Sequence, residues 1–300
     1  MKKIIYVLLI FMTILTSCTD VIDLELNVED LDLLVVDAEI TSQDNAYAYI
    51  TKSITVSSDS TNPTVSNATV IISDNAQPAN TMTLVERGSI PGFYTTPEGE
   101  DYKGVVGRTY TLTIYFEGDT IKASDVLYKV PNIDSLIIKP SQRGEEMFLG
   151  VYIASQEPAE TKNFYKWDIY VNDTCLDGLQ YLAFSDDRLY EGNYVDSAEI
   201  YTDFHDPAKD EERALGYLDT VYVKQLSMSE QVYDYYYALM LQFNSGGPFS
   251  VPPANTPTNM NTTGTKEVRG LFRAHDVSIS NVVIIDDSIE NKLNKSTHGF

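Results

Sequence analysis

Cys18 is the residue with the most definite chemistry. It closes the run Leu15-Thr16-Ser17-Cys18, an aliphatic residue and two small ones before a cysteine, which is the pattern of a lipobox. The chemistry needs cysteine there, because its thiol takes a thioether-linked diacylglycerol. Cleavage before it then frees an amine for a further acyl chain such as palmitate. Residues 1–17, MKKIIYVLLIFMTILTS, read as the signal peptide that presents it. Lys2 and Lys3 form a basic start, and Ile4 to Leu15 form an apolar run shorter than the roughly 20 residues of a membrane-spanning helix. Several acyl chains on one residue anchor stably, whereas one binds only marginally. The competing readings are an ordinary signal peptide with a chance cysteine, or an N-terminal membrane anchor.

Elsewhere the chain is poor in recognisable chemistry. His205, His275 and His298 are its only histidines. His205-Asp206 and His275-Asp276 would each suit a Ser–His–Asp arrangement, but no G-x-S-x-G elbow accompanies them. There is also no H-E-x-x-H, glycine-rich phosphate loop or EF-hand spacing. No catalytic, cofactor-binding or metal-ligating residue is therefore assigned, and no cofactor is expected. Asp186-Asp187 and the Asp203/Asp206/Asp210 group have the carboxylates calcium prefers without its ligand spacing, so they read as solvated loop acids. Two alternatives to a binding protein stay open: a glycosidase-like surface hydrolase built on loop carboxylates, since such pairs depend on spatial separation, and a structural or adhesive surface protein. Tyr190, Tyr194 and Tyr201 fit either a recognition surface or buried phenols with satisfied hydroxyls.

Composition narrows the partners. Acidic residues outnumber basic ones 44 to 21, for a net charge of −23, and two of those lysines leave with the signal. That balance argues against nucleic acid or anionic lipid as a partner. With Cys18 acylated, Cys175 is the one remaining thiol, so no intrachain disulfide or cysteine zinc site can form. It reads as a small, partly buried apolar residue.

The elements that must position anything functional read as short strands. Residues 18–32 form an acidic tether. Strands are expected at Leu33–Ile40, Ala46–Ser53, Ala68–Ser73, Thr81–Glu86, Thr109–Gly118 and Thr120–Leu127. Polar turns such as Ser73-Asp74-Asn75 and Glu117-Gly118-Asp119 divide them, as in a sandwich or barrel. In the fifth of these, Tyr110, Leu112, Ile114 and Phe116 share one face. Pro131-Asn132-Ile133-Asp134 marks a boundary, after which strands resume at Ser135–Lys139, Met147–Ala154 and Phe164–Val171. Residues 172–219 read as long loops, and 248–263, dense in proline and asparagine, as an extended surface loop.

One helix is expected at about 228–243. Ser227 and Glu230 form a capping box, Val232, Tyr235, Tyr236, Leu239 and Phe243 fall at helical spacing, and Gly246-Gly247 supplies the stop. That aromatic stripe reads as core packing rather than a ligand box. Arg269–Ser280 then reads as a returning strand pair, and 286–300 as a flexible tail. The resulting domains are 33–130 and a second β-rich domain at 131–285 carrying the helix.

Several segments together resemble the DUF4249 family of Bacteroidetes lipoproteins. They are the acidic V-I-D-L after Cys18, L-V-V-D-A-E-I-T at 34–41, N-A-T-V at 67–70, P-G-F-Y at 91–94 and G-R-T-Y-T-L-T-I at 107–114. V-P-N-I-D-S-L at 130–136, N-F-Y-K-W at 163–167, V-P-P-A-N at 251–255 and R-G-L-F-R-A at 269–274 continue the series. Asn261-Thr-Thr-Gly264 fits the family's N-x-x-G, while Gly270-Leu271-Phe272 departs at one position from its G-Y-F-x-A. The resemblance implies an immunoglobulin-like β-sandwich at 33–130 and an outer-membrane location. It also implies an accessory role beside a TonB-dependent receptor, and it carries over no catalytic residue. Asp20, Asp23 and Glu25 resemble the signals that export such lipoproteins to the cell surface. The ligand stays unnamed.

Overall fold

The computed structural model describes residues 33–54, 61–143, 146–159, 161–202, 215–244, 256–289 and 291–292. Cys18, Asp20, Asp23 and Glu25 lie outside the described residues, with the rest of the signal and tether. So do His205, His298, Asp203, Asp206, Asp210, Gly246, Gly247 and residues 248–255 of the proline-rich stretch.

The described chain is mainly β with one prominent helix, as expected. Its first seven strands are β1 Leu34–Thr41, β2 Tyr47–Lys52, β3 Thr69–Asp74, β4 Thr81–Glu86, β5 Phe93–Thr95, β6 Thr109–Phe116 and β7 Asp119–Val126. Alternation decides which way they face. Leu34, Val36, Ala38 and Ile40 of β1 are fully buried, while Asp37 and Glu39 between them point outward. Tyr110, Leu112 and Ile114 of β6 meet them in the same core.

The chain continues through β8 Ile133–Arg143, β9 Glu146–Gln156, β10 Phe164–Val171, β11 Thr174–Cys175, β12 Ala183–Asp186, β13 Tyr194–Tyr201 and β14 Thr220–Met228. Helix α1 Glu230–Phe243 follows, then β15 Asn261–Thr262, β16 Val268–His275, β17 Val277–Ile279 and β18 Val283–Ile284.

Nine strands form one sheet in the order β15-β7-β6-β3-β4-β5-β2-β1-β16. Residues 261–275, expected with the second domain, therefore complete the first sheet. β16 runs parallel to β1 from Leu34↔Val268 to Thr41↔His275. The sheet curls into a nearly closed barrel, and side chains bridge its gap. The Asp125 carboxylate accepts from the Ala274 amide (2.8 Å). Asn259 accepts from the Phe272 amide (3.0 Å) and donates to its carbonyl (2.6 Å), and Thr258 donates to the Gly270 carbonyl (2.7 Å). An outer edge that would otherwise offer bare amides and carbonyls is thereby satisfied.

The remaining strands form two sheets, β13-β9-β8 and β11-β10-β14-β17, with β12 on β10 and β18 on β14. Between them lies a second core containing Leu136, Ile138, Val151, Ile169, Val221 and Val223. Ile285 and Ile289 join it, so the tail expected to be loose from 286 is packed as far as Ile289. Within the stretch expected as long loops at 172–219, the described residues include strands β11, β12 and β13. No side chain of β13 is fully buried, and its register shifts between Val195 and Ala198 and again between Glu199 and Tyr201, which leaves no clean period to signal a strand.

The helix begins two residues later in its cap than expected. Ser227 is held in β14, where its hydroxyl donates to the Tyr128 carbonyl (2.6 Å) and accepts from the Asp276 amide (2.9 Å). Pairing of β14 with β10 as far as Phe164↔Met228 keeps those residues extended. Ser229 caps instead, its hydroxyl accepting from the Val232 amide (3.4 Å). Val232 and Tyr236 are buried, and Tyr235 and Leu239 pack partly, but Phe243 is 53% exposed and leaves the stripe.

Candidate functional site

The outward face of the barrel strands β2, β1 and β16 carries a row of polar groups in register, Tyr47, Glu39 and Arg273. Arg273 gathers them. Its Nε donates to Glu39 Oε2 (2.7 Å), one terminal nitrogen to the Tyr47 hydroxyl (2.8 Å) and the other to Asp37. Facing this row, Lys166 and Asp168 stand two residues apart on β10 and form an ion pair. Tyr236 and Leu239 of α1 and a 3-10 turn at Leu179–Tyr181 complete a cleft of about 400 Å³. Cys175 also lines it, partly buried as expected.

The charges here are largely withdrawn from water. Arg273 and Lys166 side chains are 13% and 17% exposed. Burial works against the Arg273 cation, but Tyr236, Glu39, Asp37 and Tyr47 outweigh it and hold its pKa well above the ordinary value. Burial likewise opposes the Lys166 ammonium, and Tyr236 and Asp168 reverse the sign and raise its pKa. Burial pushes the Tyr47 phenol far up, against the pull of Arg273, so it stays a donor. Burial raises the Cys175 thiol, with Asp168 adding to it, so it is held away from the reactive thiolate.

His275 closes the back of this row. It is fully buried, its Nδ1–H donates to the Ser227 carbonyl, and Nε2 lies 4.0 Å from Glu39 Oε2 without a hydrogen bond among the described residues. Burial, reinforced by Arg273, pulls its pKa down to about 3. The unfolded histidine takes up its proton near pH 6.5 and the folded one only near 3. The unfolded state thus binds more protons in that window, and stability present above pH 6.5 is lost progressively as pH falls towards 3. The urea midpoint should therefore drop between pH 7 and pH 4.5, and His275→Asn should flatten that slope. An unchanged slope in the variant would exclude His275 as its source.

Two other concavities flank the second core. A groove of about 820 Å³ is lined by Tyr128, Asn132, Asp134, Gln156, Lys162 and Asn163. A cavity of about 50 Å³ holds Glu157 and Asp187. Glu157 accepts from the Tyr165 hydroxyl (2.5 Å), Asp187 from the Asn163 amide (2.8 Å), and burial raises the Glu157 pKa. Asp186, expected in a solvated loop, pairs with Arg188 at 2.8 Å, while its neighbour Asp187 is buried. Tyr190 and Tyr194 are exposed, and the Tyr201 hydroxyl donates to the Gln180 carbonyl (2.7 Å).

None of Asp37, Glu39, Lys166, Asp168 or Arg273 stands out in the sequence as a site residue. Their signal was present as charges at i and i+2 within strands, Asp37/Glu39 and Lys166/Asp168. That spacing ordinarily marks a solvent face, and here the two faces meet, with the turn at Leu179–Tyr181 and the helix closing a cleft between them.

The family model described as a domain of unknown function, DUF4249, matches residues 19–280. No curated protein matches the chain.

Proposed function

We infer that this chain, which belongs to the DUF4249 family, is a Bacteroidetes outer-membrane lipoprotein that binds a ligand without transforming it. On this reading Cys18 carries the diacylglycerol anchor, and Asp20, Asp23 and Glu25 direct the protein to the cell exterior. An immunoglobulin-like unit at 33–130 and the β-rich 131–285 then stand outside the membrane, where the protein serves a TonB-dependent receptor as an accessory. The lipobox ending in Cys18 carries the anchoring part of this reading.

The cleft carries the binding part. It gathers buried cations, carboxylates and phenols where three elements converge, a usual place for small-molecule recognition. A binder rather than a hydrolase is favoured by the state of the carboxylates, since Asp37, Glu39 and Asp168 at the cleft are each engaged in an ion pair with Arg273 or Lys166. Glu157 and Asp187 share a cavity of about 50 Å³, room for water but not for a sugar ring. Cys175, the one thiol at the cleft, is kept protonated by burial.

Cells fed an alkyne-labelled palmitate should yield a labelled protein that Cys18→Ala abolishes, and external protease should digest the wild type on intact cells. Gentle detergent extraction should co-purify a large β-barrel protein. A label that survives Cys18→Ala, protection from external protease, or repeated recovery of the lipoprotein alone would each overturn the corresponding part.

A further inference from the structure

Among the described residues, the cleft between Arg273 and Lys166 leaves several hydrogen-bonding groups unused. A guanidinium has five N–H donors, and Arg273 places three, on Glu39, Tyr47 and Asp37. Lys166 has three and places one, on Asp168. The Tyr47 hydroxyl accepts from Arg273 and keeps its own proton to give. Beside these spare donors lie spare acceptors, since Asp168 and Asp37 each bond their cation through one oxygen, Oδ1. Donors and acceptors therefore alternate around one small volume, with the Tyr236 phenol at its wall.

Charge restricts what can fill it. Asp37, Glu39 and Asp168 outnumber Arg273 and Lys166, so the local field is net negative and disfavours an anion. A bare cation would leave the spare N–H donors facing another positive charge. A hydroxyl meets both demands, because one oxygen accepts from a cation and donates to its partner carboxylate without separating the ion pair. Two adjacent hydroxyls on a ring would span Lys166 and Asp168 in this way. Tyr236, mostly buried beneath Lys166, offers an aromatic wall to the ring's C–H groups, and about 400 Å³ suits one or two rings.

We propose that the cleft formed by Arg273, Lys166, Asp168, Asp37, Tyr47 and Tyr236 binds a neutral mono- or disaccharide. This names the ligand class for the binding reading above and rests on it.

The test uses the mature lipidated chain in a detergent without a sugar headgroup. Glucose, galactose, mannose, N-acetylglucosamine, and α- and β-linked glucose disaccharides are titrated by calorimetry and saturation-transfer NMR, with glycine and lysine as amino-acid probes. At least one saccharide should bind with a Kd below 10 mM. Lys166→Met and Asp168→Asn should each weaken it at least tenfold, and Tyr47→Phe, which removes the phenol hydroxyl with a proton to give, two- to fivefold. Tyr47→Phe keeps the test valid should either charge variant fail to fold. Binding of no saccharide, saccharide binding untouched by the variants that fold, or binding of an amino acid in its place would overturn the proposal. Labelling at Cys18 and protease access are read separately, so failure here and failure of the anchoring reading are distinguishable.

Discussion

Arg273→Met should lower the stability of the folded chain by about 3–5 kcal/mol, the usual cost of removing one partner from a buried ionic network. The reason is the number of groups that depend on it. Asp37 and Glu39 stand two residues apart on the same face of β1, and both give an oxygen to Arg273. Without the guanidinium, two like charges share a partly dehydrated surface, and the Tyr47 hydroxyl loses its donor. Arg273→Lys should fall between wild type and Met, because a point charge cannot reach three acceptors in a planar fork. Asp37→Asn should cost under about 1 kcal/mol, since that side chain is 52% exposed. Urea unfolding followed by tryptophan fluorescence would measure all three. A loss below about 1 kcal/mol for Arg273→Met would show that the network is not structural.

Gly270→Ala should be more damaging still, costing more than about 4 kcal/mol or preventing folding outright. Gly270 sits within β16 at φ +109°, a backbone conformation that side chains resist. It lies directly opposite Val36 in the parallel ladder. A methyl group there would stand 1.9 Å from the Val36 carbonyl oxygen and 2.8 Å from that residue's backbone carbon and nitrogen. Neither obstacle is a flexible side chain, so only separation of β1 from β16 relieves the overlap. That separation opens the barrel and displaces Arg273 three residues on. Gly88→Ala is the control, because nothing lies within 4 Å of a methyl there; it should change stability by less than about 0.5 kcal/mol. Equal stability of the two variants would refute the steric argument.

Much of the strand pattern was legible because it follows from period-2 burial. Thr81–Glu86 and Phe164–Val171 match β4 and β10 residue for residue. The three-residue β5, at Phe93–Thr95, is too short for a period to show. The cap at Ser229 rather than Ser227 was decided by how far β14 remains paired, which is not a local property. Phe243 fits the helical stripe by spacing, yet it is exposed where Val232 and Tyr236 of the same stripe are buried, a difference that spacing alone does not give.

The sequence by itself determined the lipobox pattern at Cys18, the β character of the described residues, the one prominent helix among them and the net negative charge. Each depends on residue type or short-range spacing. Only the tertiary structure decided that β16 joins β1 across more than half the chain, and that Asp125, Asn259 and Thr258 bridge the barrel's gap. It also decided that Glu39 and Arg273 face a cleft instead of water, with Asp37 half-exposed at its rim. The physical reason is common to all three. Alternation along a strand tells which side chains share a face, but what covers that face is set by segments far away in the chain.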